Sequence, residues 1–544
     1  MGEVIYGDQR APLTAGRTLF EYADEMNAQV PTSCLRNGYC HECVVAVNAG
    51  DGRLSPPTEA ESFLKEPYRL ACQARILEGE GDVSFTPLRR TPQILSASET
   101  RQIDPDPMVT LSGDDVLYDG EKIDTFRGHV LGLAIDLGTT TIVMELVDLL
   151  TGESLAIAAF ENPQRFGGSD VMNRISYDGG PYHGELQKSV TTAINRHIAN
   201  MGESLGFKRQ EIYEITVAGN STMRDLLFRL DVQPIGTRPY KSTIETAFRE
   251  GELSSTAIVE RSRRLGLRAN IHTRVYGLPL IASHVGADTA ADLVAVDLLE
   301  APTDKVVMVV DVGTNTEVVI AGNGRMLAAS SPAGPAFEGG LVRYGMPGYD
   351  GAIESVHISD DGQFDCGVIG GIDPVGICGS GLVDLLAEMR RTGMMSERGV
   401  IGDGTKRNQS VILDEAHGIS FSSEDASHLA QAKAANYCGQ HLLMRQFGVT
   451  AEGIDRLYLA GGFANYIDVD NAMAIGFIAP VAAERVSKIG NAALQGAREV
   501  LLDRQRRQRL EEVVKSIEHI ELETDPAFFD DFVDGCMYQP MPAS

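Results

Sequence analysis

Residues 34 to 43 read CLRNGYCHEC, and Cys72 follows later, so Cys34, Cys40, Cys43 and Cys72 form the pattern C-x5-C-x2-C-x28-C. Half of the chain's eight cysteines stand in this one pattern. Three thiolates on a short loop plus one remote thiolate suit a [2Fe–2S] cluster, because each iron takes two soft sulfur donors. A structural zinc site is the alternative, but it ordinarily pairs two short C-x2-C knuckles, and here the last cysteine stands alone. His41 sits between two candidate ligands. A Rieske-type iron needs two histidines, so His41 reads as a polar surface residue. Cys366, Cys378, Cys438 and Cys536 show no ligand spacing and read as small buried apolar side chains.

A second chemistry is written in "AIDLGTTT" and again, 175 residues on, in "VVDVGTNTE". In each, an Asp closes a β-branched run (Asp136, Asp311) and a Gly follows two positions later (Gly138, Gly313). Hydroxyl and amide side chains come next: Thr139, Thr140 and Thr141 in the first copy, Thr314, Asn315 and Thr316 in the second. Such a Gly lets backbone N–H groups approach phosphate oxygens, and the Thr hydroxyls add donors. The Asp suits the hydrated magnesium ion that accompanies a triphosphate. One D-x-G-T turn is weak evidence, but two in register point to similar halves facing each other. In "IDRLYLAGGFANYIDV", Gly461 and Gly462 follow a strand and would let a flat adenine or ribose lie against backbone.

These groups need elements to hold them. "RTLFEYADEMNA" places Leu19, Tyr22, Ala23 and Met26 at helical spacing before the cysteine loop, and the strand-like VVAVNAG follows it. Each phosphate turn joins two apolar strands. "GICGSGLVDLL" opens a helix with apolar Leu382, Leu385, Leu386 and Met389, "VAGNSTM" follows a strand and would end near the expected cleft, and "SPAGPAFEGG" (Glu338) is conspicuous without a place assigned to it. For "NPQRFGGSDVMNRIS" the sequence gives a loop then a helix, with no purpose attached.

At 544 residues and 43% apolar content, the chain can bury cores in three to four domains. A formal charge of −29 argues against nucleic acid and an anionic membrane face as partners and favours a partner with a basic patch. No apolar run reaches the length of a membrane span, and the N-terminal MGEVIYGDQRAPL lacks a signal-peptide layout, so a cytoplasmic protein is expected. The boundaries expected are a [2Fe–2S] domain at 1–93, a polar, acidic linker at 94–128, a middle segment with the first phosphate turn at 129–206, and an ATPase domain at 207–544.

Residues 1 to about 90, with "GRTLFEYA" and "YRLACQARI", resemble plant-type or adrenodoxin-type ferredoxins. The resemblance implies a β-grasp fold. The two phosphate turns and the Gly-Gly element, in this order, resemble the actin, Hsp70, hexokinase and acetate kinase superfamily, a two-lobed, ribonuclease H-like α/β fold binding ATP with Mg2+. "VGADTAADLVAVDLL" resembles that superfamily's connecting helix. Asp288 lies one position from where its chaperone members carry an acidic residue poised for water activation. A carboxylate stabilised by the helix dipole is the other reading.

Across its full length the chain resembles the reductive activators of corrinoid proteins, on "AIDLGTTT", "AGNSTM", "VVDVGTNTE", "GPAFEGG", "GICGSGLVDL" and "LAGGFANYI". That resemblance implies ATP-dependent reduction of cob(II)alamin to cob(I)alamin on a corrinoid protein of a methyltransferase system. It implies a homodimer, a separate electron donor for the cluster, and catalytic roles for Asp136 and Asp311. Members from methanogens carry [4Fe–4S] ligands at the C-terminus; the tail here, with Cys536 alone, departs from that branch. Two other classes stay open. One is an activator of a different metalloenzyme, which would need Cys366 and Cys378 around a [4Fe–4S] cluster. The other is a redox sensor whose ATPase motifs only hold shape.

Overall fold

Two β-branched runs organise most of the chain. The computed structural model describes residues 2–7, 9–26, 28, 30, 36–38, 43–87, 101, 103–402, 409–462 and 464–542. The strand Leu131–Leu137 pairs antiparallel with Thr141–Asp148, which pairs antiparallel with Ser154–Glu161. On its other side Leu131–Leu137 runs parallel to Ile212–Ala218, beyond which lie Arg274–Gly277 and Ile258–Arg261. The second half repeats this plan. Val307–Val312, Thr316–Gly322 and Arg325–Ser331 form the antiparallel set, and Arg456–Ala460 and Val486–Gly490 extend it in parallel beside Val307–Val312. The repeat expected from the two motifs is a repeat of topology.

The first strand of each sheet is buried on both faces, as its unbroken apolar run requires. The helices Ala287–Ala295 and Ala492–Leu502 pack together between the sheets, and Thr216 Oγ1 donates to the carbonyl of Ala497 at 2.9 Å. The expected boundary between residues 206 and 207 falls inside one sheet, since Ile212–Ala218 is bonded along Leu131–Leu137.

The N-terminal unit is a five-stranded sheet in the order Gln9–Pro12, Glu3–Tyr6, Val83–Pro87, Val44–Ala49, Tyr68–Leu70. The helix Leu19–Glu25 lies on it, capped by Thr18 and Glu21 and burying Leu19, Phe20, Tyr22 and Ala23. This is the mixed sheet and single helix of a β-grasp ferredoxin. Its apolar core continues without a break into that of the first lobe.

The segment expected as a linker holds more structure than its polar composition suggests. Val109–Ser112, Asp115–Tyr118 and Glu121–Thr125 form a three-stranded sheet. The left-handed Asp119 and Gly120 close its second hairpin. Tyr118 donates to Glu214 at 3.2 Å, and Arg101 pairs with buried Glu499 at 2.5 Å, so the segment packs on the larger body. No helix among the described residues is long and apolar enough to cross a membrane.

Candidate functional site

Both phosphate turns open onto one cleft between the lobes, of about 1190 Å3 including its open mouth. Asp136, Gly138, Thr139, Thr140 and Thr141 line it from the first lobe, and Asp311, Gly313, Thr314 and Asn315 from the second. Asp288, Gly461 and Gly462 complete the expected set. Thr316 does not line the cleft. It begins a strand whose alternation turns its side chain into the lobe, while Glu317 faces the cleft instead.

The two turns meet at Glu338. Its Oε2 accepts from Thr140 Oγ1 at 2.7 Å and from Thr314 Oγ1 at 2.8 Å, one hydroxyl from each lobe. The sequence singled out the stretch that carries Glu338 but gave it no role. Gly461 has φ +108°, and a Cβ there would stand 2.1 Å from the Val312 carbonyl oxygen, so only Gly fits beside the second turn.

Six carboxylates converge here: Asp136, Asp288, Asp292, Asp311, Glu317 and Glu338. Burial, above all, raises every one of their pKa values, and mutual repulsion adds to this for most of them. Asp136 is pushed up to about 7, against a bond from Asn491 Nδ2 at 2.8 Å that favours its charged form. Asp311 is likewise raised to about 7 by burial and by Asp288. Neither oxygen of Asp292 has a donor among the described residues, and its pKa is raised well above the carboxylate range by burial, then by Asp311 and Asp288. As the neutral acid it donates to Asp311. Asp288, in the first turn of Ala287–Ala295, accepts from the Thr289 amide at 2.9 Å. Buried acids this dense require protons or a cation, so the donor set fits a hydrated divalent metal accompanying a polyphosphate. Asp292, Glu317 and Asn491 escaped the sequence reading. The one signal for Asp292 was its place four residues, one helical turn, after Asp288.

Of the cysteine pattern, Cys34 and Cys40 lie outside the described residues, as does His41. Cys43, at the foot of Val44–Ala49, and Cys72, just after Tyr68–Leu70, are brought together because the Ala71 amide donates to the Cys43 carbonyl at 2.8 Å. The Cys72 thiol is held below its usual range by Cys43, then by Gln73, whose Nε2 donates to Sγ at 3.3 Å, and by backbone N–H groups. Amide donors aimed at a buried sulfur are what a thiolate-held iron–sulfur cluster needs, so this half of the ligand set fits. Cys378 and Cys438 are buried, as expected for apolar use, whereas Cys366 and Cys536 are half-buried. Cys378 also caps the helix Gly379–Arg391 at the cleft wall. Burial raises the thiols of both Cys366 and Cys378, the reverse of a ligand site.

Residues 6–77 match the 2Fe-2S iron-sulfur cluster binding domain, 131–301 the RACo middle region, and 305–543 the C-terminal domain of RACo, the ASKHA domain. The chain is 31% identical over 454 residues to the corrinoid activation enzyme RamQ of Eubacterium limosum, covering 78% of this chain and 74% of that one. It is 24% identical over 439 residues to the [Co(II) methylated amine-specific corrinoid protein] reductase of Methanosarcina barkeri, covering 76% and 78%. The solved structure of a reductive activator for corrinoid,iron-sulfur protein superposes with a TM-score of 0.72 at 26% identity over 99% of both chains.

Proposed function

This chain belongs to the RACo family of corrinoid activation enzymes, and from that premise we propose that it uses ATP to return the inactive cob(II) form of a corrinoid protein to cob(I). The observation that carries the reading is Glu338, which ties the turns of the two lobes to one point in the cleft. Closing both lobes there links nucleotide turnover to a change in lobe geometry.

When bound, the [2Fe–2S] cluster supplies one electron at a potential near roughly −400 mV, and Mg·ATP supplies the driving force. Cys34, Cys40, Cys43 and Cys72 would hold the cluster. Asp136 and Asp311 would bind the hydrated metal. Thr139, Thr140, Thr141, Thr314, Asn315 and the backbone of both turns would receive the phosphates, with Gly461 and Gly462 flooring the adenosine. Asp288, oriented by the Thr289 amide, would accept a proton from the attacking water. The need for ATP follows from the acceptor. Each ~59 mV by which the cobalt lies below the donor is a tenfold adverse equilibrium for one electron, and closure of the lobes on a docked partner offsets it.

The partner is a corrinoid protein of a methyltransferase system, and a separate donor reloads the cluster. We place the protein in the cytoplasm as a homodimer, which sedimentation would check. Replacing Cys72 by Ser tests the reading. The variant should bind nucleotide normally yet form no cob(I) from partner, reductant and ATP. Cob(I) formation at the wild-type rate would contradict it.

A further inference from the structure

The stretch "NPQRFGGSDVMNRIS", unassigned by the sequence, touches both the first phosphate turn and the N-terminal domain. Its first residue, Asn162, is fully buried. The Asn162 side chain donates to the Gly138 carbonyl at 2.8 Å, and its backbone N–H donates to the Thr140 carbonyl at 2.7 Å. Arg174, also fully buried, donates from Nη2 to the Thr139 carbonyl at 2.7 Å. Three consecutive carbonyls of the first phosphate turn are therefore held by one segment, 162–178.

The same segment forms the seat of the N-terminal domain. Phe63 packs edge-on against Phe166, with ring centroids 5.5 Å apart. Tyr177, itself edge-on to Phe166 at 5.6 Å, donates its hydroxyl to the Phe63 carbonyl. All three rings are buried. Phe63 lies two residues after Glu61, whose Oε1 accepts from the Leu70 amide at 3.0 Å and from Arg69 Nε at 2.9 Å. Cys72 follows directly on that strand. Hydrogen bonds, packed rings and the short backbone stretches between them thus join the phosphate turn to a cysteine of the cluster pattern.

Arg174 adds an electrostatic reason. Among the described residues the hydrogen-bond acceptors of its guanidinium are neutral: the Thr139 and Gly168 carbonyls, Gln164 Oε1 and Met223 Sδ. Burial and the nearby Arg165 work against its charge, while the carboxylates of Asp170 and Glu338 act on it only through space, so an anion on the far side of the turn adds compensation. Peptide geometry sets the direction. A phosphate on the turn's N–H face aligns the carbonyls toward 162–178 and polarises the bonds they accept.

We propose that segment 162–178 is the coupling element of this protein: a phosphate at the first turn tightens the seat formed by Phe166 and Tyr177 and fixes the N-terminal domain against the first lobe. Arg174 and Tyr177 are positioning residues, acting through the Thr139 and Phe63 carbonyls. The inference rests on the nucleotide reading of the cleft.

Hydrogen exchange on the cluster-loaded chain tests it, with the non-hydrolysable analogue AMPPNP and Mg2+ as probe and binding measured separately by calorimetry. In the wild type, saturating AMPPNP should slow amide exchange across residues 58–66 by about fivefold or more. Arg174→Gln should bring that ratio below about twofold at saturating analogue, and Arg174→Lys, which keeps the charge, should restore part of it. Tyr177→Phe, which keeps the ring, should bind AMPPNP like the wild type while losing about half of the slowing on a logarithmic scale. The milder Tyr177→Phe decides the matter should Arg174→Gln fail to fold. Bound AMPPNP with unchanged exchange at 58–66 overturns the coupling alone, as does full slowing in Tyr177→Phe. Failure of AMPPNP to bind the wild type overturns the nucleotide reading and the coupling with it.

Discussion

The two lobes share a hairpin, a phosphate turn and a parallel neighbour strand, yet the segments that follow their third strands serve different ends. After Ser154–Glu161, the first lobe uses residues 162–178 to grip its own turn from behind and to seat the N-terminal domain. After Arg325–Ser331, the second lobe uses residues 332–348 to bring Glu338 into the cleft, where it accepts from both turns. One copy faces the electron-carrying domain and the other faces the nucleotide. On the proposed coupling, a duplicated scaffold supplies two similar phosphate grips, and divergence in one connecting segment per lobe makes one grip a sensor and the other a clasp.

That contrast can be broken at the clasp side with the largest effect. Asp311→Ala should lower ATP turnover by about 10³-fold, because it removes a preorganised charge from the metal position. A phosphate-release assay with the corrinoid partner present checks this, and turnover within tenfold of the wild type would refute it. Glu338→Gln keeps the shape of the clasp but removes its charge. It should lower turnover by about 10²-fold. If Glu338 joins the lobes, the effects of Thr140→Val and Thr314→Val will be strongly non-additive, and simple additivity would separate the two grips again.

Proton linkage sharpens the comparison further. Asp136 in one lobe and Asp311 in the other are both raised to about 7, chiefly by burial. Each must be charged to hold a metal, so Mg·ATP affinity should fall by about tenfold or more between pH 8 and pH 6, read by calorimetry. The sign for folding is opposite. The folded chain binds these protons more tightly than the unfolded one, so in EDTA the contribution of these two groups to stability is fully present below the unfolded value of about 3.9 and is lost as pH rises through 7. Mg·ATP should restore the melting temperature above pH 7. A flat profile in EDTA would place these carboxylates in water.

The smallest effect belongs to the support of the first turn. Asn220 caps the helix Ser221–Leu227 and donates to Thr139 Oγ1 at 2.9 Å. Asn220→Ala should cost about 1 kcal/mol of stability, seen in the urea midpoint, with ATP turnover reduced only slightly.

What the sequence made legible was local. Each phosphate turn is an Asp, a Gly and Thr residues within six positions, and each sits where it was expected. The cysteine spacing likewise announced the N-terminal domain. The clasp could not be read in the same way, since Glu338, Asp292, Glu317 and Asn491 converge only once the sheets face each other. Segment 162–178 was harder still, because it acts on backbone carbonyls, which no residue pattern advertises. Thr316 shows the converse error. The motif included it, but strand alternation gave its place to Glu317. The acidic stretch before residue 128 looked structureless because its strands are short and half-exposed, and its tight turns were the signal that composition masked.

The central claim is that nucleotide turnover in the cleft drives an electron from the cluster domain to a corrinoid cobalt. Anaerobic stopped-flow spectroscopy of the wild-type holoprotein, its reductant and the cob(II) partner, with and without Mg·ATP, tests it most directly. The account predicts cob(I) absorbance growing at least about 100-fold faster with Mg·ATP than without it, and no such gain with AMPPNP. Equal rates with and without ATP would contradict it.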